Sequence, residues 1–380
     1  ERFLAHYSLR EFTLEERLLT QGRILWDYLG QLVWPQTARM GLYHDDVLLS
    51  HSLANPVATL HALLAWGGVL VAAAVTSGFV LGRRVAFCIL FYLVGHSVES
   101  TVLPLELYFE HRNYFPGIAV FLLAALLLAE LQQRWRRVAA PVMAYLALGL
   151  VVLSFNTSSQ VEIWSNGYLL RFNQINAHPT SFRANADMAV MFARAGSLER
   201  ALEYSARAHE HTRERAGDHY MRNLALSCIA DQPLAATQAP NRQALVAERP
   251  LSSVPTLHTL VKMLQNDECR HLDRSALADT FAAVYLRPQA EATASGNIYA
   301  LLAVLENALG RYANAYEYTA RFLAESPHAT RGLLMQLHFS TALGKVEEAD
   351  DLKQRLLLLQ DAGALSVVDQ ETLALYLETD

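Results

Sequence analysis

Nothing in the 380 residues matches the short motifs that mark common soluble enzymes. There is no GxxxxGK[ST] phosphate loop, no dinucleotide fingerprint, no GxSxG nucleophile elbow and no paired CxxC motif. Soluble-enzyme chemistry of those kinds is therefore not visible. Basic charge is also scarce: 31 Lys and Arg stand against 37 Asp and Glu, a formal net charge of -6. That balance lacks the electrostatic footprint of a nucleic-acid binder, so no nucleic-acid partner is expected. Cysteine is limited to Cys88, Cys228 and Cys269. Residue 1 is Glu rather than Met, and no cleavable signal peptide follows it. The expectation is a fragment or processed product of a longer protein.

What the chain does have is apolar sequence, 52 % of residues, unevenly spread. Residues 57 to 155 hold nearly all the long uncharged runs, and 160 to 380 reads as water-soluble helical sequence. Val57 to Leu81 runs 25 residues without a charge, enough to cross about 30 Å of hydrocarbon. Val138 to Phe155 gives 18 more. Two weaker runs lie between them, Val85 to Gly95 and Pro116 to Ala129. These reach spanning length only if the intervening loop also lies at membrane depth or in a protein-lined cavity. Arg83 and Arg84 sit between the first two runs, and Arg134, Arg136 and Arg137 between the last two. The positive-inside rule places both loops in the cytoplasm, and the first 56 residues and everything after 155 on the opposite side. Ahead of the spans, "FTLEERLLTQGRILWDYLGQLVWP" opens with Thr13 and Glu16 at capping-box spacing. It sets Leu18, Leu25, Tyr28, Leu29 and Leu32 near one face, with Arg17, Arg23 and Asp27 elsewhere. The pattern predicts a helix in the membrane interface or against the bundle, ended by Pro35.

A period of 34 appears after residue 180: Gly310 and Gly344 keep it, as do Ala315 and Ala349. This is the tetratricopeptide length, a helical hairpin whose glycine turns the chain and whose small residues let the helices approach. An earlier copy carries Ala189, Phe192, Gly196, Ala201 and Ala208. The copy near Ser295 has Ala303 and Pro327 but puts Glu306 where an aromatic is usual. The Pro- and Ala-rich stretch from Asp231 to Pro255 reads as an insert of loop and short helix. Cys228 and Cys269 flank it on the oxidising side, where a bridge between them is the favoured reading and two buried thiols the alternative.

Two polar clusters carry the candidate chemistry. In "ESTVLPLELYFEHRNYFPG", Glu106 and Glu110 share a helix face if the stretch is helical. Glu106, Glu110 and His111 are candidate catalytic groups, as bases toward a hydroxyl or as ligands of a divalent cation. Arg112 is the candidate donor to a lipid phosphate, which its fork would grip with two bonds. Mutual pairing that caps short helices at the bilayer surface would explain the same residues. In "GLYHDDVLLSHS", His44, Asp45, Asp46 and His51 are metal-ligating types, but their spacing fits no defined zinc or calcium motif.

"RLLTQGRILWDYLGQLVWP", then "HDD", then "ESTVLPLELYFEHRNYFP", then a last span leading into repeats, form an ordered set. In that order the chain resembles bacterial polytopic membrane proteins with C-terminal tetratricopeptide repeats. These are related to the transmembrane and tetratricopeptide repeat-containing O-mannosyltransferases of the GT-C superfamily. The resemblance implies sugar transfer from a polyprenyl-phosphate carrier, with membrane lipids as surroundings and a protein acceptor or partner on the repeats. It also implies a catalytic acid in the first extracytoplasmic loop, a part missing upstream of residue 1, so no residue here inherits that role. The expected fold is all-α: an interfacial segment over 1–56, a transmembrane helical bundle of about four spans over 57–156, and a periplasmic tetratricopeptide-type solenoid over 157–380. The expected location is the bacterial inner membrane, multi-pass. The competing expectation is a non-catalytic, membrane-anchored scaffold subunit of an envelope complex, since repeat solenoids chiefly offer binding surfaces.

Overall fold

A computed structural model describes residues 7, 10, 12–212, 216–235, 254–266, 268–285 and 295–378. Most of the expected insert, residues 236–253, lies outside the described residues. Every regular element among those described is helical, and the chain divides into two compact units, Glu1–Met188 and Ala189–Asp380.

The first unit opens with α1 (Leu14–Val33), whose capping box is formed: Thr13 Oγ1 accepts from Glu16 N at 3.2 Å, and Glu16 accepts from Thr13 N at 2.8 Å. α1 does not sort as its apolar spacing predicts. Leu18 is exposed, whereas Arg17, Thr20, Gln21 and Gln31 are buried beside Ile24 and Tyr28. The cause lies in the irregular segment before residue 110, whose carbonyls need donors. Arg17 Nε donates to Thr101 O at 2.8 Å and Nη2 to Glu99 O at 2.5 Å, and Nη1 reaches Leu105 O. Gln21 Nε2 donates to Leu107 O at 2.7 Å.

Four long apolar helices follow: α2 (Ala58–Thr76), α3 (Val80–His96), α4 (Tyr114–Arg134) and α5 (Arg136–Ser165). Among the described residues three stretches are long and apolar enough to cross a membrane: Ala58–Thr76, Glu110–Arg134 and Ala140–Ser165. At 17 residues α3 is shorter, and Arg83 and Arg84 lie inside its first turns rather than in a loop. Likewise Arg134 and Arg136 are separated by Trp135 alone, a break between two helices. α1 is fastened to α2 by two indoles: Trp26 Nε1 donates to Ala62 O and Trp66 Nε1 to Gly22 O, both at 3.0 Å. The rings stack 4.3 Å apart. Beyond α5 come α6 (Gly167–Ala177) and α7 (Phe182–Arg194), and the division between the units falls within α7.

The second unit continues with α8 (Leu198–Glu210), α9 (Ala216–Ala230), α10 (Val254–Gln265), α11 (Arg274–Tyr285), α12 (Ser295–Ala308), α13 (Tyr312–Glu325), α14 (Thr330–Ala342), α15 (Val346–Asp361) and α16 (Val367–Leu377). The 34-residue period is present as one repeated turn. Gly310 and Gly344 each sit at φ 71°, and the residue after each glycine donates to a carbonyl five back: Arg311 N to Glu306 O and Lys345 N to Ser340 O, both at 2.9 Å. Ser197 N closes the same ring on Phe192 O at 2.9 Å, after Gly196. This is a glycine-terminated helix end, in which left-handed backbone redirects the chain into the partner helix. The small residues sit at the helix contacts: Ala201 and Ala315 have no exposed surface, and Ala349 is buried beside Leu352 and Leu356. Glu306, at the usual aromatic position, is buried and accepts from Asn314 Nδ2 at 3.2 Å.

A Cβ on Gly344 would meet no atom within 4 Å, so only its backbone angle resists substitution. Gly344→Ala should therefore destabilise the chain by about 1–2 kcal/mol. Gly344→Asn, which tolerates that angle, should lose clearly less. Melting curves of the two variants check the ordering; equal losses would mean that space or hydration, not backbone angle, sets the cost.

Candidate functional site

The 97–109 segment and the Arg39–Leu48 segment meet over α1, and a cavity of about 620 Å3 opens there. Its polar lining is Arg23, Asp27, Gln31, Arg39, His44, Asp46, Tyr108 and His178. Trp26, Ile24, Val47 and Leu48 supply apolar wall. Arg23, Asp27 and Gln31 reach it because they are spaced four apart on α1. The other polar groups come from three further stretches, all within the first unit.

Two imidazole–carboxylate pairs dominate. His44 Nε2 is 2.8 Å from Glu110 Oε1, which also accepts from Gly41 N at 3.2 Å. His178 Nδ1 is 2.9 Å from Asp46 Oδ1, and its Nε2 lies 3.3 Å from the Arg39 carbonyl. With an acceptor at both ring nitrogens, His178 is satisfied only as the imidazolium. Burial opposes that charge, but Asp46 outweighs it and the pKa of His178 is raised. Burial equally works against the Asp46 anion, and the hydrogen bond with His178 reverses the balance, so its pKa is lowered. The two rings meet edge to face, 4.7 Å apart. On the other side His44 lies against Tyr108, whose hydroxyl is pushed well above its ordinary pKa by burial and by Asp27. Arg39 Nη2 is 3.3 Å from Asp27 Oδ1 at the rim, and Arg23 Nη1 donates to Leu48 O and Ser50 Oγ.

Of the residues singled out from sequence, Glu110, His44 and Asp46 belong to this site. The remaining ones are held elsewhere. Glu106 pairs with Arg183 Nη2 at 2.6 Å. Arg112 is buried, 2.8 Å from Glu99, and donates to the Glu106 and Leu107 carbonyls. His111 is exposed, 5.1 Å from the Phe109 ring. Asp45 accepts from Ser181 Oγ at 2.6 Å and from Arg183 N at 3.2 Å, at the start of α7. His51 pairs with Glu16 at 2.6 Å. Thus His44, Asp45, Asp46 and His51 go to four different partners. Among the described residues no group of three metal-ligating side chains converges. In the second unit Cys228 and Cys269 are joined by a disulfide, with Cα atoms 4.5 Å apart. His178, Arg39, Tyr108 and Arg183 were not singled out, and nothing local marks them: His178 stands 132 residues from Asp46.

No family model matches the sequence, and no curated protein matches it. A solved structure reported as "Functional Characterization of Pseudomonas Aeruginosa pilF" is similar at 18 % identity and a TM-score of 0.27. The similarity covers 61 % of this chain and 96 % of that one.

The His178–Asp46 pair makes stability depend on pH. Because the folded pKa of His178 is raised from about 6.5, its contribution is complete below that value and is lost as pH rises through the raised one. Melting temperature should fall between pH 6 and pH 9 in the parent chain, and His178→Gln should flatten that fall. A slope unchanged in His178→Gln would assign the titration to another group.

Proposed function

We propose that the chain is the membrane-anchored part of a glycosyltransferase-like protein that uses a sugar linked to polyprenyl phosphate. On this reading the repeat-bearing unit binds the acceptor protein or a partner. The single observation behind it is the place of the polar cavity. Its wall is α1, the helix fastened by Trp26 and Trp66 to α2, a stretch of membrane-spanning length. A lipid-linked head group entering from that side would meet the cavity first.

The lining suits such a group. Its charges are largely compensated in pairs, so a hydroxyl-rich ring can donate to Asp46 and Asp27 and accept from Arg23. His44, oriented by Glu110, is the group placed to take a proton from a hydroxyl. Arg23 and Arg39 would meet the carrier phosphate. A divalent cation, if one takes part, would have to draw ligands from the substrate.

A second reading, the non-catalytic membrane-anchored scaffold, has its own observation. The loop's ionisable groups are largely spent on the fold, Arg112 on Glu99 and Glu106 on Arg183, and Arg17 of α1 is spent on the loop's carbonyls. Native mass spectrometry of the full chain with a polyprenyl-phosphate-linked sugar separates the two. The transferase reading expects carrier binding that is lost in His44→Gln and Asp46→Asn, while His51→Gln keeps it. Absence of binding in the folded parent chain favours the scaffold.

The location proposed is the bacterial inner membrane, crossed more than once, with the C-terminal unit in the periplasm. Arg83, Arg84, Arg134, Arg136 and Arg137 then mark the cytoplasmic side. Alkaline-phosphatase fusions should be active after residue 178 and inactive after residue 135. The opposite pattern reverses the orientation.

A further inference from the structure

α6 is sorted inside out. Its Gln174 turns inward and is buried, accepting from Leu42 N at 2.6 Å and donating to Tyr43 O at 2.8 Å. Arg171 Nε lies 3.6 Å from Asp187. Its outward face instead carries Tyr168, Leu169 and Phe172, with Tyr168 67 % exposed. Positions 168, 169 and 172 share one side of a helix at 3.6 residues per turn. Trp164, at the end of α5, and Val33 and Trp34, at the end of α1, are also exposed. The α1 end belongs to the same neighbourhood, because Gln160 Nε2 of α5 reaches Thr37 O at 3.5 Å.

What covers this face follows from the helix that leads into it. α5 has 30 residues, a length of about 45 Å at 1.5 Å per residue. Hydrocarbon occupies about 30 Å and the whole bilayer with head groups about 40–45 Å. A spanning α5 therefore ends in the head-group layer. There Asn166 breaks the helix, and its side chain caps α6 by accepting from Tyr168 N at 2.9 Å and Leu169 N at 3.2 Å. The chain turns out of α5 where Trp and Tyr are favoured, having an apolar body and a polar tip.

We infer that α6 lies in the head-group layer of the bilayer that α5 crosses, with Trp164, Tyr168, Leu169 and Phe172 facing lipid. This placement rests on the membrane reading of α5. Its polar face is used to hold the Tyr43 segment and Asp187. The site is a lipid contact on the protein, one that ties the Arg39–Asp46 wall of the cavity to the membrane surface through Gln174.

Photolabelling of the full chain in phosphatidylcholine vesicles tests it, with two diazirine phospholipids. One carries the reactive group beside the head group and the other at the acyl-chain end; adducts are mapped by mass spectrometry. The expected result is head-group-probe adducts on Trp164 to Phe172, and acyl-end adducts within 143–155 of α5. Acyl-end labelling of α5 without head-group labelling of α6 would overturn the α6 assignment while leaving the span. No acyl-end labelling of α5 would overturn the membrane reading itself. A dimer in native mass spectrometry in which Tyr168 and Phe172 take up no head-group probe would assign the face to self-association and likewise overturn the proposal. Tyr168→Ser with Phe172→Ser should lose the head-group adducts and keep the acyl-end ones, since both positions are exposed and carry little of the fold.

Discussion

The buried guanidinium of Arg17 is the constraint on which the first unit turns. An ion that loses its water is costly unless each of its donor nitrogens finds an acceptor. Arg17 meets that demand with three backbone carbonyls, those of Glu99, Thr101 and Leu105, from a segment without regular structure. The benefit is mutual, because those carbonyls accept from no helical amide and gain a donor in Arg17. Burial lowers the pKa of Arg17 to about 10, which still leaves it charged at neutral pH. The hydroxyl of Tyr28 completes the fastening by accepting from Phe109 N at 2.8 Å. With the segment so held, Tyr108 and Glu110 stand where they wall and orient the cavity.

Charge compensation is the second organising fact. Asp27 pairs with Arg39 and Asp46 with His178, while a hydrogen bond joins Glu110 to His44 across 66 residues. A cavity built from such pairs has little net charge apart from Arg23, and it presents many directed donors and acceptors. That favours a polar ligand able to do both. The pairs are also structural, so substitutions at the site will mix stability with binding, and a readout of occupancy beside stability is needed to part them.

How much of this was legible in the sequence follows from the range of each interaction. The Thr13–Glu16 box, the end of α1 near Pro35 and the glycine turns at 34-residue spacing are local, and the residues alone indicate them. Of the four apolar runs read from the sequence, Val57 to Leu81, Pro116 to Ala129 and Val138 to Phe155 overlap stretches of spanning length, and Val85 to Gly95 falls in the shorter α3. The burial of Arg17 was not legible, because its carbonyl partners lie 82 to 88 residues away. For the same reason Glu110 and His44 stood out as residue types, but their pairing did not. His178 did not stand out at all: "NAHPTS" has no local signature, and its meaning comes from Asp46. Helix ends misled in another way. Arg83 and Arg84 read as a loop, but the helix accommodates them in its first turns with their long side chains outward. The run near Arg134 shrank to the single break at Trp135.

α1 and α6 finally share one departure from water-soluble sorting. α1 buries Arg17, Gln21 and Gln31 while exposing Leu18, Val33 and Trp34. α6 buries Gln174 while exposing Tyr168, Leu169 and Phe172. In water this arrangement loses twice, by leaving apolar area wet and by stripping polar groups of solvent. On the proposed membrane reading the first of these losses shrinks, since the exposed apolar area meets lipid rather than water. On that same proposed reading, the buried polar groups of α1 and α6 and their exposed apolar side chains answer to one solvent condition. Polar side chains turned inward from α1, from the Arg39–Asp46 segment and from residue 178 must converge, and where they do not fill the space between them a polar cavity remains.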